Sequence, residues 1–388
     1  MGLASTNCAG KQSLDTFALH LLAHWERCYI TIAHNSGLFN EFLSILKRCY
    51  TFTSDRGMSK LIKIPHKVHG STCYVNGLFD VLTWQGARYD YSLLPIIGGM
   101  ASFTYLKFKM AQPPCMVYWG NNPKYLLKDL GEIIGFTQTI SEGKSFRNEF
   151  PKMKEHLEND EPVMVGALDM YYLHYYPELY KKEHIPLHYV LMVGYDDNKQ
   201  MVYVHDCSVG GVQEIPYLEF ERALDVNVPG MSKKNTFRVF QSPQKMPTEL
   251  EIADKGFTYK ARRMLKPPVK MFGIPAMRKL AKEIVSWANT DCFRHMVAYA
   301  GLTPPLIAED LSHNDGLRFE QARVFGDLGQ KYQRKEWSDA SMLFRKSGEL
   351  IAKLCERALE YDGRGCSAFL EEIADTEEEA YTILLKSV

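Results

Sequence analysis

Two apolar runs joined by a short polar turn constrain the fold of this chain more than any other feature. The first run covers residues 186–195 and the second covers residues 201–206. Apolar and aromatic residues in this density, bounded by Asp, Asn and Lys, are typical of an antiparallel hairpin. His188 lies near the start of the first strand, and Asp206 ends the second. Because the chain reverses between them, the two side chains are expected to meet at one end of the hairpin.

A cysteine at the start of a predicted helix is the second constraint. Apolar residues repeat at helical spacing over residues 75–82, Ser71 and Thr72 are suited to the N-cap, and Gly86 is suited to the position after the C-cap. Cys73 is therefore expected in the first helical turn, where unpaired N–H groups and the helix dipole favour a thiolate over a thiol. This position is typical of a nucleophile. The alternative is a small apolar residue that fills a helix terminus.

The cysteine, the distant histidine and the acid follow one another in the order of a papain-like catalytic site. In such a site the imidazole activates the thiol, and the acid orients the imidazole. The sequence therefore predicts a catalytic group of Cys73, His188 and Asp206.

An aromatic run after another predicted strand is the expected substrate wall. The strand over residues 162–168 leads into Asp169, and Tyr171, Tyr172 and His174 follow. They leave the sheet shortly before the hairpin, so they are expected near the same sheet end, where a polar aromatic rim suits a sugar or an amine. The alternative is a surface loop rich in tyrosine.

Changes in composition divide the chain into three predicted parts. Residues 1–55 carry two amphipathic helical patterns and are predicted to form an N-terminal helical extension. Residues 56–245 are predicted to form an α+β catalytic domain. A segment rich in proline and polar residues introduces residues 246–388, whose long amphipathic patterns predict an all-helical domain. Gly326 and Gly329 are expected to interrupt one of its helices.

The balance of charges and the cysteine pattern narrow the function classes. The 388 residues include 46 Lys and Arg against 46 Asp and Glu, so no net field attracts nucleic acid or an anionic membrane surface. Nine scattered cysteines without a CxxC pair favour a reducing compartment over a disulfide framework or a zinc site. No apolar run is long enough for a membrane span and no leader is evident, so a cytoplasmic protein is expected. No metal or other cofactor is predicted, and a homo-oligomer is left open.

Several of these motifs resemble the butirosin biosynthesis protein H family. The resemblance covers about residues 60–361 and rests on Cys73 to Gly86, Gly98-Gly99, Pro162 to Asp169, His188 to Asp206, and Asp315 to Trp337. It implies a papain-like domain, close in fold to the C39 peptidases, followed by a helical domain of unknown function. The name-giving member moves an acyl group from the phosphopantetheine thioester of an acyl carrier protein to an aminoglycoside amine. By this resemblance Cys73 is acylated, His188 is its base and Asp206 orients His188.

The chain departs from the papain-like pattern at the oxyanion donor. Papain-like enzymes usually carry a glutamine several residues before the cysteine, and residues 65–69 contain none. The candidate donors are the Cys73 N–H together with His66, His69 or Asn76. Losing one such donor typically lowers the rate by roughly 10²–10³.

Three functions are open at this level. The first is a thiol acyltransferase with an acyl carrier protein as donor and an amine acceptor such as an aminoglycoside or another secondary-metabolite intermediate. The second is a cysteine peptidase or amidase that uses the same residues, with water as the second nucleophile. The third is a binding module with a structural Cys73, against which the intact catalytic group weighs. His66 and His69 also compete with His188 for the role of base.

Overall fold

A seven-stranded antiparallel sheet organises the structure, a computed structural model that describes residues 58–69, 72–229, 231–301 and 307–386. The strands are β1 (Ser59–Leu61), β4 (Thr137–Ser141), β5 (Val163–Leu168), β6 (His188–Asp196), β7 (Met201–His205), β8 (Gln213–Pro216) and β9 (Phe237–Gln241). Their order is β4-β9-β5-β6-β7-β8, and β1 also pairs with β6. A separate two-stranded sheet consists of β2 (Thr104–Lys107) and β3 (Cys115–Tyr118). The predicted extension over residues 1–55 lies outside the described residues.

The helices fall into two groups along the chain. Those interspersed with the strands are α1 (Cys73–Trp84), α2 (Leu93–Gly98), α3 (Pro123–Ile134), α4 (Phe146–Glu158) and α5 (Tyr217–Leu224). Those after the last strand are α6 (Glu249–Leu265), α7 (Gly273–Ile284), α8 (Thr290–Ala298), α9 (Arg318–Lys331), α10 (Lys335–Leu359) and α11 (Gly363–Lys386). The fold is therefore mixed α+β with a helical C-terminal region, as predicted. Within the described part of the chain, none of these helices has the length and apolar character of a membrane span.

Side-chain alternation along the central strands separates two cores. On one face of the sheet, Met164 of β5 and Leu191 of β6 lie under α1. On the other face, Val165 and Val190 pack in a second cluster with Met153 of α4. Successive strand residues point to opposite faces, and both faces of these strands are covered. The strands are therefore apolar throughout. Helix α1 is consequently fixed against one face of β5 and β6.

The C-terminal helices share the core that lies under α1. The last strand ends at Gln241 and α6 begins at Glu249, on either side of the predicted boundary between residues 245 and 246. Buried Lys260 of α6 donates a hydrogen bond to the carbonyl oxygen of Ile96 in α2 at 3.0 Å. One hydrophobic cluster runs from α1 and β6 into the C-terminal helices, and Ser59–Val388 form one compact unit. The division into two domains at this boundary stays a prediction.

Helix α9 runs through Gly326 and Gly329, so the predicted interruption is wrong. A β-carbon on Gly329 would lie 2.6 Å from the Ser338 Oγ atom, and one on Gly326 would lie 3.1 Å from the Ser341 Oγ atom. Both serines belong to α10. The two glycines therefore allow α10 to approach α9 closely, and this packing offsets their low helix propensity.

Candidate active site

Cys73 is the first residue of α1 and is half-buried. The first backbone hydrogen bonds of the helix, from Val75 and Asn76, both reach the Thr72 carbonyl oxygen at 3.0 Å. The N–H groups of the first two helical residues precede these bonds and remain outside the helical pattern. Thr72 is the N-cap residue, as predicted, but its hydroxyl contacts the Tyr91 hydroxyl instead of capping the helix. The prediction that Cys73 opens a helix is confirmed.

The hairpin of β6 and β7 brings His188 and Asp206 together. Leu191 of β6 lies opposite His205 of β7, so the start of β6 is beside the residue that follows β7. The His188 Nε2 atom is 2.7 Å from the Asp206 Oδ2 atom. Their side chains are 8% and 0% exposed, respectively. The predicted meeting of these two residues at one end of the hairpin is therefore confirmed.

Two tyrosines hold the Asp206 carboxylate from the loop before β6. The Tyr175 hydroxyl donates to Oδ2 at 2.9 Å, and the Tyr176 hydroxyl donates to Oδ1 at 2.5 Å. The backbone N–H of Ser208 donates to Oδ1 at 3.1 Å. The Tyr176 ring also packs edge-on against the His188 ring, with 5.7 Å between centroids. Both carboxylate oxygens are thus hydrogen-bonded, which fixes the acid and, through it, the plane of the imidazole.

The His188 and Asp206 pair is strongly stabilised in its charged form. Burial by itself lowers the pKa of His188, but the charge and hydrogen bond of Asp206 raise it to about 10. Burial likewise raises the pKa of Asp206, and the His188 charge and the hydrogen bonds from His188, Tyr176 and Ser208 lower it to about 2. A buried carboxylate remains ionised under these conditions because an opposite charge and several donors compensate for lost hydration.

Cys73 interacts with the same imidazole. Hydrogen bonding and charge at Cys73 contribute further to the raised pKa of His188. The His188 Nε2 atom is engaged by Asp206, so Nδ1 is the ring nitrogen that remains for the thiol. The arrangement therefore places a sulfur at a helix terminus beside an imidazole that can take its proton, and a fixed carboxylate that orients this imidazole and stabilises its charged form.

The three candidate oxyanion donors differ in their availability. His66 uses both ring nitrogens, because Nδ1 is 2.8 Å from the Asp80 Oδ2 atom and Nε2 is 3.3 Å from the Val209 carbonyl oxygen. The Nε2 atom of His69 is buried without a hydrogen bond. Burial and the Lys67 charge lower the pKa of His69 to about 4, so its ring is neutral near pH 7.

The third candidate is Asn76, which lies one helical turn after Cys73. It is buried, and its unpaired atom is the acceptor Oδ1, which does not suit an oxyanion. The His69 ring stacks on the Tyr91 ring beside Thr72, close to the start of α1. The His69 Nε2 atom is thus a buried ring nitrogen without a partner near this helix terminus, and it donates in the neutral tautomer that carries the proton on Nε2.

The expected substrate wall is largely engaged in holding its own loop. Asp169 accepts hydrogen bonds from the backbone N–H groups of Tyr171 and Ile185, and it pairs with His184 at 2.6 Å. The Tyr171 ring stacks on the His184 ring. The Lys181 Nζ atom lies over the Tyr172 ring, 4.7 Å from its centroid.

His174 is the exposed member of this group and packs edge-on against Tyr175. The substrate-binding role of Asp169, Tyr171, Tyr172 and His174 stays a prediction. The members of the aromatic run that reach Asp206 are Tyr175 and Tyr176, which sequence reasoning missed. The aromatic run in the sequence indicates that tyrosines lie near the site. Its loop has no periodicity, however, from which to predict which of them contact Asp206.

Among the described residues, two groups of side chains offer metal-ligand atoms within 4.8 Å of one another: His66, Asp80 and His205 in one, and His188, Asp206 and Cys207 in the other. In the first group both imidazole Nδ1 atoms share the Asp80 Oδ2 atom, at 2.8 and 3.2 Å. In the second, the hydrogen bond between His188 and Asp206 joins the facing atoms. Hydrogen bonds therefore join the facing imidazole and carboxylate atoms in both groups.

The fold and the site together define an α+β protein in which a cysteine at a helix N-terminus adjoins a buried histidine and aspartate pair. Residues 72–207 match the family model for the N-terminal domain of butirosin biosynthesis protein H, and residues 219–384 match the domain of unknown function DUF4872. The chain therefore contains the N-terminal domain of the butirosin biosynthesis protein H family followed by DUF4872, and the resemblance seen in the sequence is confirmed. It is also 25% identical over 304 residues to the uncharacterized protein YobF of Bacillus subtilis (strain 168), covering 73% of this chain and 94% of that protein.

Proposed function

We propose that this protein is a papain-like cysteine acyltransferase in which Cys73 carries the acyl group, His188 moves the protons and Asp206 orients His188. The observation that supports this proposal most directly is the His188 imidazole, held by Asp206 on one nitrogen and interacting with Cys73 at a helix terminus. The match of residues 72–207 to a domain named for butirosin biosynthesis supports a role in the assembly of a secondary metabolite.

The donor in this proposal is an acyl thioester on the phosphopantetheine of an acyl carrier protein. The Cys73 sulfur attacks the thioester carbonyl carbon, and the tetrahedral oxyanion collapses with cleavage of the bond to the pantetheine sulfur. The departing thiolate takes a proton from the His188 imidazolium, which leaves an acyl-enzyme and a neutral imidazole. Cysteines that remain free thiols suit this chemistry and a cytoplasmic location, and six described cysteines are free.

The acceptor is an amine. Its nitrogen attacks the acyl-enzyme carbonyl carbon and passes a proton to His188, after which the bond to the Cys73 sulfur breaks and the amide is released. The net reaction converts a thioester and an amine into an amide and a thiol. Transfer in preference to hydrolysis requires that the site bind the amine or exclude water while the acyl-enzyme exists.

The oxyanion in both steps is assigned to the Cys73 N–H and the His69 Nε2–H groups. We expect His69→Phe, which keeps a ring on Tyr91 but removes the donor, to lower kcat by roughly 10²–10³ with a small change in KM. Steady-state kinetics with a pantetheine thioester measures kcat and KM separately. Asn76→Leu is the comparison variant, and an equal loss of kcat in that variant would assign the donor to Asn76.

Intact-protein mass spectrometry tests the acyl-enzyme itself. Wild type, incubated with a panel of acyl-pantetheine thioesters, is expected to gain the mass of one acyl group and to lose it faster with an added amine than in buffer. Cys73→Ala is expected to gain none because the attacking sulfur is absent. Cys207→Ala, which removes a buried thiol in the same region, is the matched control and should still be acylated.

The mass spectra also separate the competing functions. Discharge at the same rate in buffer and in amine indicates a hydrolase, and amide or peptide hydrolysis then becomes the activity to measure. An adduct that survives in Cys73→Ala would falsify the assignment of the nucleophile.

A further inference from the structure

Arg238 in β9 is a buried cation without an anionic partner. Its side chain is 1% exposed, its Nη1 atom donates to the Gln138 Oε1 atom at 3.3 Å, and its Nε atom has no hydrogen bond. Among the described residues, no carboxylate lies within ion-pair distance of the guanidinium. Glu142 acts on the Arg238 charge only at longer range, and its carboxylate pairs with Lys124 at 3.7 Å. A buried charge in this state is costly unless a further group binds it.

The other fully buried arginine among the described residues shows what a complete set of partners looks like. Arg318 makes two hydrogen bonds to Glu377, at 2.8 and 3.2 Å, and its Nη1 atom reaches two backbone carbonyl oxygens at 3.1 and 2.7 Å. This fork of donors on a carboxylate is the usual solution for a buried guanidinium. Arg238 has the same chemistry and lacks the carboxylate.

A second unpaired polar group faces the same region. The Tyr189 hydroxyl is buried without a hydrogen-bond partner, although Ser232 is close enough to influence it. Burial raises the pKa of Tyr189, and the nearby Arg238 charge opposes this increase. The Tyr189 ring lies over Gly166, where a β-carbon would come within 2.6 Å of the ring atom Cδ1. The missing side chain at Gly166 lets the ring extend across β5 toward β9.

The two unpaired groups lie on the face of the sheet that carries the candidate nucleophile. Tyr189 is opposite Gly166 and Arg238 is opposite Met164, so both share the face covered by α1. The ring of Tyr74, next to Cys73, packs edge-on against Tyr189 at 5.9 Å. Strands β6 and β9 are two strand spacings apart, about 10 Å. Tyr189 thus lies between the start of α1 and Arg238, and the spacing of the strands that carry Tyr189 and Arg238 compares with the length of a short linear acyl chain.

We propose that Arg238 and Tyr189 bind a carboxylate at the far end of the acyl group that is transferred through Cys73. A carboxylate accepts two hydrogen bonds from a guanidinium and a third from a phenol hydroxyl, which supplies partners to both orphaned groups. The substrate class is a dicarboxylic acid joined to its carrier through one carboxyl group as a thioester. This inference rests on the proposed function, because the acyl group is placed by Cys73.

Competing pantetheine thioesters test the proposal on the full chain. Succinyl, glutaryl and adipyl thioesters are compared with their ω-methyl esters, which keep the chain length and remove the charge. Wild type is expected to be acylated faster by the free-acid forms. Arg238→Met is expected to reduce the acid-to-ester rate ratio by on the order of 100-fold, and Tyr189→Phe by a smaller factor.

Stability measurements keep this test interpretable. Replacing an unpaired buried charge by an apolar side chain of similar volume is expected to leave the melting temperature of Arg238→Met unchanged or raised. If that variant fails to fold, Tyr189→Phe and Arg238→Lys provide the rate ratios instead. The subsite is refuted if wild type shows no preference for the free acid, or if Arg238→Met slows acid and ester equally.

A failure of the acyltransferase proposal gives a different result. If no thioester acylates Cys73, calorimetric titration of Cys73→Ala with free glutarate tests the anion site alone. Glutarate binding that disappears with the additional Arg238→Met substitution would support the carboxylate site even though the acyltransferase proposal fails. No binding of glutarate would refute both the site and its substrate class.

Discussion

Replacing Asp206 by alanine is expected to lower kcat/KM for acyl transfer by roughly 10³–10⁴-fold. The carboxylate orients the His188 ring and supplies the charge that stabilises its imidazolium form, so the variant loses both contributions. The hydroxyls of Tyr175 and Tyr176 lose their acceptor at the same time. Stopped-flow acylation by a pantetheine thioester measures the effect.

An asparagine at the same position separates orientation from charge. Asp206→Asn retains an oxygen acceptor for the imidazole and is expected to lose less activity than Asp206→Ala. In both variants the pKa of His188 is expected to fall from its raised value, because burial then acts without the opposing carboxylate charge. Titration of the His188 ring protons by NMR checks this direction independently of turnover. An unchanged His188 pKa in either variant would contradict the assigned role of Asp206.

Arg318→Met is expected to destabilise the protein by about 3–5 kcal/mol, the usual cost of leaving one member of a buried ion pair unpaired. Arg318 and Glu377 are both 0% exposed, and Ser347 donates to the same carboxylate at 2.7 Å. The arginine also donates to the Ser102 carbonyl oxygen, 216 residues away in sequence, so the loss affects contacts to a segment before α6 as well as to α11. Urea denaturation gives the free energy of unfolding.

The double variant Arg318→Met, Glu377→Leu is the informative comparison. It removes both charges, so it is expected to recover much of the stability that the single variant loses. Lys335→Met, which removes the cation of an exposed i,i+4 pair with Asp339, should change the unfolding free energy little. Equal losses in the single and double variants would show that side-chain packing, and not the unpaired charge, causes the effect.

Local periodicity was sufficient to predict the parts of the site that depend on one element or one hairpin. Helical spacing placed Cys73 at the start of α1, and Gly86 has the positive φ of +101° expected after a helix end. Strand alternation and a turn placed His188 beside Asp206. These contacts follow from regular backbone geometry, so a sequence pattern contains the necessary information.

Contacts that depend on irregular loops or on distant packing could not be obtained in this way. Tyr175 and Tyr176 reach Asp206 from a loop without a repeating geometry. The isolation of Arg238 depends on which residues the neighbouring strands β4 and β5 place around it, whereas the sequence shows only a single arginine in an apolar run. The continuity of α9 through Gly329 depends on the approach of α10, which local propensity does not describe.

The continuous core under α1 bears on how proteins of this architecture can diversify. The helix that begins at Cys73 is buried in the same cluster as the C-terminal helices, so those helices support the position of the sulfur. An ancestor that exchanged its helical half for an unrelated one would lose part of the support for its nucleophile in the same event. Inheritance of both halves together is therefore expected, with changes in substrate range arising in the loops at the end of the sheet.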